Sequence, residues 1–105
     1  MVEHITSEQL EELIKTSNVP VVCDFWASWC GPCRMLAPVF EDLSNELDGK
    51  AVFVKINVDD EESAARKYGI TSIPNVLLFK DGTLKASKLG FVPKEMLQAF
   101  VESNL

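Results

Sequence analysis

The apolar positions change their period several times along the chain, and each change marks an element. Leu10, Leu13 and Ile14 recur at helical spacing behind Thr6, and Gln9 stands three residues after that threonine. A capped amphipathic helix is therefore predicted near residues 7–17. Pro20 then introduces Val21-Val22-Cys23-Asp24-Phe25-Trp26, a β-branched and aromatic run that reads as a strand.

From Cys33 to about Leu47 the period returns to helical. Met35, Leu36, Val39, Phe40, Leu43 and Leu47 are expected on one face, and Gly49 stops the helix. Pro38 lies inside it and predicts a kink, because its ring crowds the preceding turn and it has no N–H to donate. Ala51 to Val58 is a second, almost continuous apolar strand. Asp59 to Tyr68 reads as a short helix closed by Gly69. Residues 75–80 and 83–88 flank Asp81-Gly82, a hairpin turn pair. After Gly90, Pro93 opens a last helix with Met96, Leu97, Phe100 and Val101 toward the core.

The order is strand or coil, helix, strand, helix, strand, helix, hairpin, helix. Strands 21–26 and 51–58 are joined through a helix, so a right-handed crossover makes them parallel. Both are apolar on both faces, and helices must cover the sheet from two sides. The fold class is α/β. No repeat, low-complexity tract or linker interrupts it.

Composition narrows the function. With 105 residues the chain is expected to form one domain with one core. Sixteen acidic against ten basic residues argue against a nucleic-acid partner. Met1-Val2-Glu3-His4 does not read as an export leader, and no run approaches the roughly 20 apolar residues that span a bilayer. Three cysteines are an odd number for a disulfide framework. A reducing, cytoplasmic setting is expected, where a Cys-x-x-Cys pair is more often catalytic or metal-binding than structural.

That pair lies in Trp29-Cys30-Gly31-Pro32-Cys33, between a strand and a helix. A disulfide closing so short a loop removes little entropy from the unfolded chain, so it is an inefficient staple. It is well suited to a reversible two-electron switch. Only a thiolate attacks a disulfide, and Cys30 falls just ahead of a helix whose unpaired N–H groups and dipole favour the anion. Cys30 is the candidate nucleophile, and Cys33, in the first turn, the resolving thiol. Gly31 permits close approach and Pro32 stiffens the loop.

Asp24 interrupts a strand that should be buried, and Lys55 interrupts its neighbour. An unpaired buried carboxylate is costly, so Asp24 must find a partner or hold a proton. One reading is a structural ion pair, or a lysine reaching outward. The other is a carboxyl of raised pKa, influenced by Lys55, that exchanges a proton with Cys33. Ile73-Pro74 is a candidate cis bond before the hairpin. Trp26 and Trp29 flank the dithiol and suit core or rim positions equally. Cys23 alternates away from Asp24 and is expected to be buried and inert. His4, the only histidine, is expected merely to decorate the amino-terminal segment.

The run Asp24-Phe25-Trp26-Ala27-Ser28-Trp29-Cys30-Gly31-Pro32-Cys33-Arg34, with Pro38, resembles the thioredoxin family. So do Lys55-Ile56-Asn57-Val58-Asp59, Tyr68-Gly69-Ile70, Ser72-Ile73-Pro74, Leu78-Phe79-Lys80-Asp81-Gly82 and Gly90, and the likeness covers essentially the whole chain. It implies a thioredoxin fold over 1–105: a mixed five-stranded sheet with helices on both faces. It implies a general protein-disulfide reductase in which Cys30 attacks, Cys33 resolves, Asp24 accepts a proton and Lys55 lies beside it. Pro74 would be cis. Trp29, Gly31, Pro32, Ile73, Pro74 and Gly90 would form an apolar docking surface, with the Ile73 backbone bonding to an extended substrate segment. The implied partners are disulfide-containing proteins and thioredoxin reductase. No cofactor beyond the protein's own dithiol/disulfide, no metal, no membrane and a monomer are expected.

Four positions depart from the family pattern: Arg34 where lysine is commoner, Asn75 in place of threonine, Phe91 in place of a small residue, and the additional Cys23. None alters the dithiol. Three alternatives stay open on sequence grounds. An oxidase or isomerase would carry a more oxidising pair. A closed zinc site needs about four ligands, and only Cys23 and His4 could join the pair. A binding module would keep its activity without either cysteine.

Overall fold

The sheet is assembled from strands that share their hydrophobic residues between two helical layers. The computed structural model describes residues 1–105. Its elements are β1 (Glu3–His4), α1 (Ser7–Thr16), β2 (Val21–Trp26), α2 (Gly31–Glu46), β3 (Val52–Asn57), α3 (Glu62–Lys67), β4 (Asn75–Lys80), β5 (Thr83–Leu89) and α4 (Lys94–Glu102). The sheet order is β1-β3-β2-β4-β5. β2 and β1 run parallel to β3, while β4 is antiparallel to both β2 and β5. The expected mixed five-stranded sheet is what the chain forms.

Alternation along the strands divides the core. On one face Val22, Phe53, Val76 and Leu78 pack under Leu36, Phe40 and Leu43 of α2 and Leu97 and Val101 of α4. On the other, Val21, Cys23, Phe25, Val54, Ile56 and Leu77 pack under Leu10 and Ile14 of α1 and Ala64 of α3. β2 is buried on both sides, as a central strand of two-sided apolar sequence must be.

Local chemistry sets the boundaries. Thr6 Oγ1 accepts the Gln9 N–H at 3.1 Å and Gln9 Oε1 accepts the Thr6 N–H at 2.9 Å, closing the capping box. Thr6→Ala should therefore cost about 1 kcal/mol, read from the urea midpoint. A midpoint unchanged from the parent would mean water replaces the cap without loss. Asp81 and Gly82 have φ of 54° and 81°, the two positive values that a tight hairpin turn needs.

Three expectations need correction. α2 begins at Gly31, two residues before Cys33, because Cys30 Sγ caps it by accepting the Cys33 N–H. The first-turn proline fits there, since N–H groups at that end have no intrahelical acceptor. Pro38 lies inside the helix, where the sequence placed it. Met35 and Met96 do not face the core: they are 58% and 50% exposed. Each precedes a fully buried leucine, Leu36 or Leu97, and one helical step turns the side chain about 100° toward solvent. α3 is shorter than Asp59–Tyr68 because Asn57 organises a turn first. Its Oδ1 accepts the Asp59 N–H, and its carbonyl accepts those of Asp60 and Glu61.

Candidate redox site

The carboxyl ends of β2 and β3, the head of α2 and the loop before β4 meet at one edge of the molecule. Residues 27–30 carry the chain from β2 into α2, and Arg34 Nη1 donates to the Ser28 carbonyl at 2.9 Å, bracing that loop. Cys30 and Cys33 form a disulfide with Cα atoms 5.2 Å apart, the oxidised state of the pair. Cys30 is 5% exposed and Cys33 1%. Both pack with Ala27, against Trp26, Val58 and Ile73.

The two sulfurs are not equivalent. Cys30 Sγ occupies the helix cap and receives the Cys33 backbone N–H at 3.2 Å. In the reduced protein that N–H and the helix dipole favour negative charge on Cys30. The same sulfur lies 3.8 Å from the Ile73 carbonyl oxygen. The Ile73-Pro74 bond is cis, and the Pro74 carbonyl accepts the Gly90 N–H at 2.7 Å. Thus residues far apart in sequence, 30, 73, 74 and 90, are brought to one rim. Trp29 is 67% exposed beside them, with its Nε1–H donating to Asp59 at 2.9 Å. Pro32 is exposed, Gly31, Ile73 and Gly90 are half-buried, and Pro74 is buried. A Cβ at Gly31 would meet only the Arg34 side chain, at 3.9 Å, so the chain itself leaves that position open to an approaching molecule.

Asp24 is fully buried on the α2 side of β2, and neither carboxylate oxygen has a hydrogen-bond partner. Burial raises its pKa to about 7, against the lowering effect of the Lys55 charge. Lys55 is in register with Asp24 across the β2–β3 ladder. No ion pair closes between them; the Lys55 ammonium instead sits over the Trp26 ring, 4.6 Å from its centroid. Cys23 projects to the other face, fully buried, and desolvation holds its thiol well above the ordinary range. It is remote in orientation from the pair, as the alternation along β2 requires.

His4 is not mere decoration. Its ring stands edge-on to Trp26, with centroids 5.4 Å apart. Sequence reading missed this because the contact depends on β1 pairing with β3, and two residues of strand leave no periodic trace. Asp59 as the acceptor for Trp29 was equally silent. Asn75 Oδ1 is buried without a partner.

A mixed sheet with a cysteine-capped helix, a paired second cysteine and a buried carboxyl of raised pKa defines a small thiol–disulfide oxidoreductase. The thioredoxin family model matches residues 1–103. The chain is 41% identical to the thioredoxin of Haemophilus influenzae over 102 residues, covering 97% of this chain and 95% of that protein. It is 50% identical to the thioredoxin of Bacillus subtilis over 91 residues, covering 87% and 88%. It is also 48% identical to the chloroplastic M-type thioredoxin of Pisum sativum over 104 residues, 99% of this chain and 60% of that protein. The chain belongs to the thioredoxin family. It is a protein-disulfide reductase acting by thiol–disulfide exchange through Cys30 and Cys33, and the family works through its own dithiol/disulfide without a further cofactor.

Proposed function

We propose the following division of labour. The Cys30 thiolate attacks one sulfur of a substrate disulfide, that S–S bond breaks, and the released substrate sulfur takes a proton. A mixed disulfide then joins Cys30 to the substrate. Cys33 passes its proton to the Asp24 carboxylate and attacks Cys30 Sγ, closing the Cys30–Cys33 disulfide; the second substrate sulfur leaves as a thiolate and takes the proton that Asp24 returns. Two electrons pass from this protein to the substrate, with one proton supplied by Cys33 through Asp24 and the other by solvent. Lys55 adjusts the proton affinity of Asp24. Trp29, Gly31, Pro32, Ile73, Pro74 and Gly90 receive an extended segment of the substrate, with the Ile73 backbone available to it.

The observation that carries this assignment is the Cys33 N–H pointing at Cys30 Sγ, 3.2 Å away, at the start of a sixteen-residue helix. It stabilises an anion on one sulfur and not on the other. We further propose that residues 1–105 act as one domain and as a monomer, off the membrane, and that thioredoxin reductase restores the dithiol. The relatives from Haemophilus influenzae and Bacillus subtilis support a cytoplasmic setting.

The reduction potential of the pair tests the direction of electron flow. Titration in dithiothreitol buffers, followed by tryptophan fluorescence, should give a value clearly more reducing than the glutathione couple. A value at or above that couple would assign oxidase or isomerase chemistry and overturn the reductase assignment.

A further inference from the structure

Asp24, Lys55 and His4 occupy one row across three strands, because Lys55 is the register partner of Asp24 on β2 and of His4 on β1. Trp26 lies two residues beyond Asp24, on the same face of β2. The indole is the common neighbour: Lys55 lies over its face, and the His4 ring meets it at 73°. The Trp26 Nε1–H is buried and has no acceptor, so no hydrogen bond sets the orientation of that ring. Packing must do so, and on the edge-strand side the packing is His4.

We propose that His4 is a positioning residue for the exchange reaction: its ring holds the Trp26 indole in the orientation that seats the Lys55 ammonium in the row beside Asp24. This rests on the reading of Asp24 as proton acceptor. His4 cannot act on Asp24 directly, because two strand spacings put their backbones about 10 Å apart. Its influence passes through the indole and the lysine. A ring is what the contact needs, not a charge.

The other groups around Asp24 are few. β4 contributes apolar Val76 in register, and Lys55 is the one charge that acts on the carboxyl. The turn after β3 carries Asp59, committed to Trp29, and Asp60 and Glu61, which line a cavity beside His4 and Trp26. Lys55 is therefore the one cation that this row brings toward the carboxyl. Letting it leave removes the influence that opposes burial.

The test is the titration of the Asp24 side-chain carbon by ¹³C NMR in the reduced protein, comparing the parent with His4→Ala, His4→Leu and His4→Phe. The alanine and leucine variants should raise the Asp24 midpoint by about half a pH unit or more. His4→Phe should restore the parent value, and thermal unfolding identifies any variant that fails to fold. Unmoved midpoints in both non-aromatic variants would overturn the proposal. So would a phenylalanine variant displaced as far as alanine. The exchange rate, followed in parallel, should move to higher pH by the same interval with its plateau retained. Because NMR detects the proton on Asp24 whether or not Cys33 supplied it, failure of the His4 proposal is separable from failure of the Asp24 assignment. The latter would show as an Asp24→Asn variant with the parent's pH–rate curve.

Discussion

Cys33→Ser should attack a substrate disulfide once and then stop. Cys30 retains its cap position and its approach to substrate, since the serine leaves the backbone N–H of residue 33 in place. The mixed disulfide forms, but no second thiolate stands behind it to break the Cys30–substrate bond. Multiple turnover should vanish, and the covalent adduct should accumulate on non-reducing gels and in mass spectra. Cys30→Ser should lose turnover as completely and yield no adduct, because Cys33 is buried and its sulfur lacks the helix-cap N–H that favours a thiolate at Cys30. An adduct in the Cys30→Ser protein, with none in Cys33→Ser, would reverse the two roles. The asymmetry is what distinguishes an attacking from a resolving thiol; a purely structural disulfide would show neither adduct.

Asp24→Asn should make the protein more stable and a poorer catalyst. In the folded protein the carboxyl titrates at about 7 against an ordinary value of 3.8, because burial disfavours its anion more than Lys55 favours it. The folded state consequently binds a proton that the unfolded state has already lost between those two pH values. This contribution to stability is fully present below about pH 4 and declines as pH rises toward 7, then levels off. The gap corresponds to about 4 kcal/mol, an upper figure because the asparagine amide is also buried without a clear partner. The variant should therefore gain on the order of 2–4 kcal/mol at pH 8 and almost nothing at pH 4, measured as the urea-unfolding free energy. Parallel stability curves for the two proteins from pH 4 to 8 would show that Asp24 is not held neutral by the fold. In kinetics, the proposed role of Asp24 as proton acceptor requires the variant to slow resolution by Cys33 near pH 7 by about a hundredfold, the low end of general-base contributions. Adduct formation by Cys30 should be nearly unaffected. That split separates a proton acceptor from a residue that merely tunes the helix.

Much of the site was readable before any fold was known, for a local reason. Cys30, Gly31, Pro32 and Cys33 are adjacent, and the chemistry of a helix start follows from a strand running into a proline-opened helix. The buried position of Asp24 was equally legible, because a carboxylate in the middle of Val21–Trp26 stands out against an apolar run. Element boundaries failed where a side chain, not periodicity, decided them. Asn57 turned the chain ahead of α3, and the Cys30 sulfur advanced the start of α2. Met35 and Met96 were placed inward because an apolar residue beside a core leucine looks like part of the same stripe; at about 100° per residue it is not.

Periodicity, punctuation and the spacing of two cysteines were thus enough for the α/β class, the parallel crossover, the hairpin and the dithiol chemistry, since all of these are written within a few residues of one another. Tertiary structure alone brought Ile73 and Gly90 to Cys30, laid Lys55 over Trp26 instead of onto Asp24, and set His4 against the same indole. Those relations cross from strand to strand. Register and sheet order determine them, and both depend on the burial of two whole faces at once, which no short window of sequence contains.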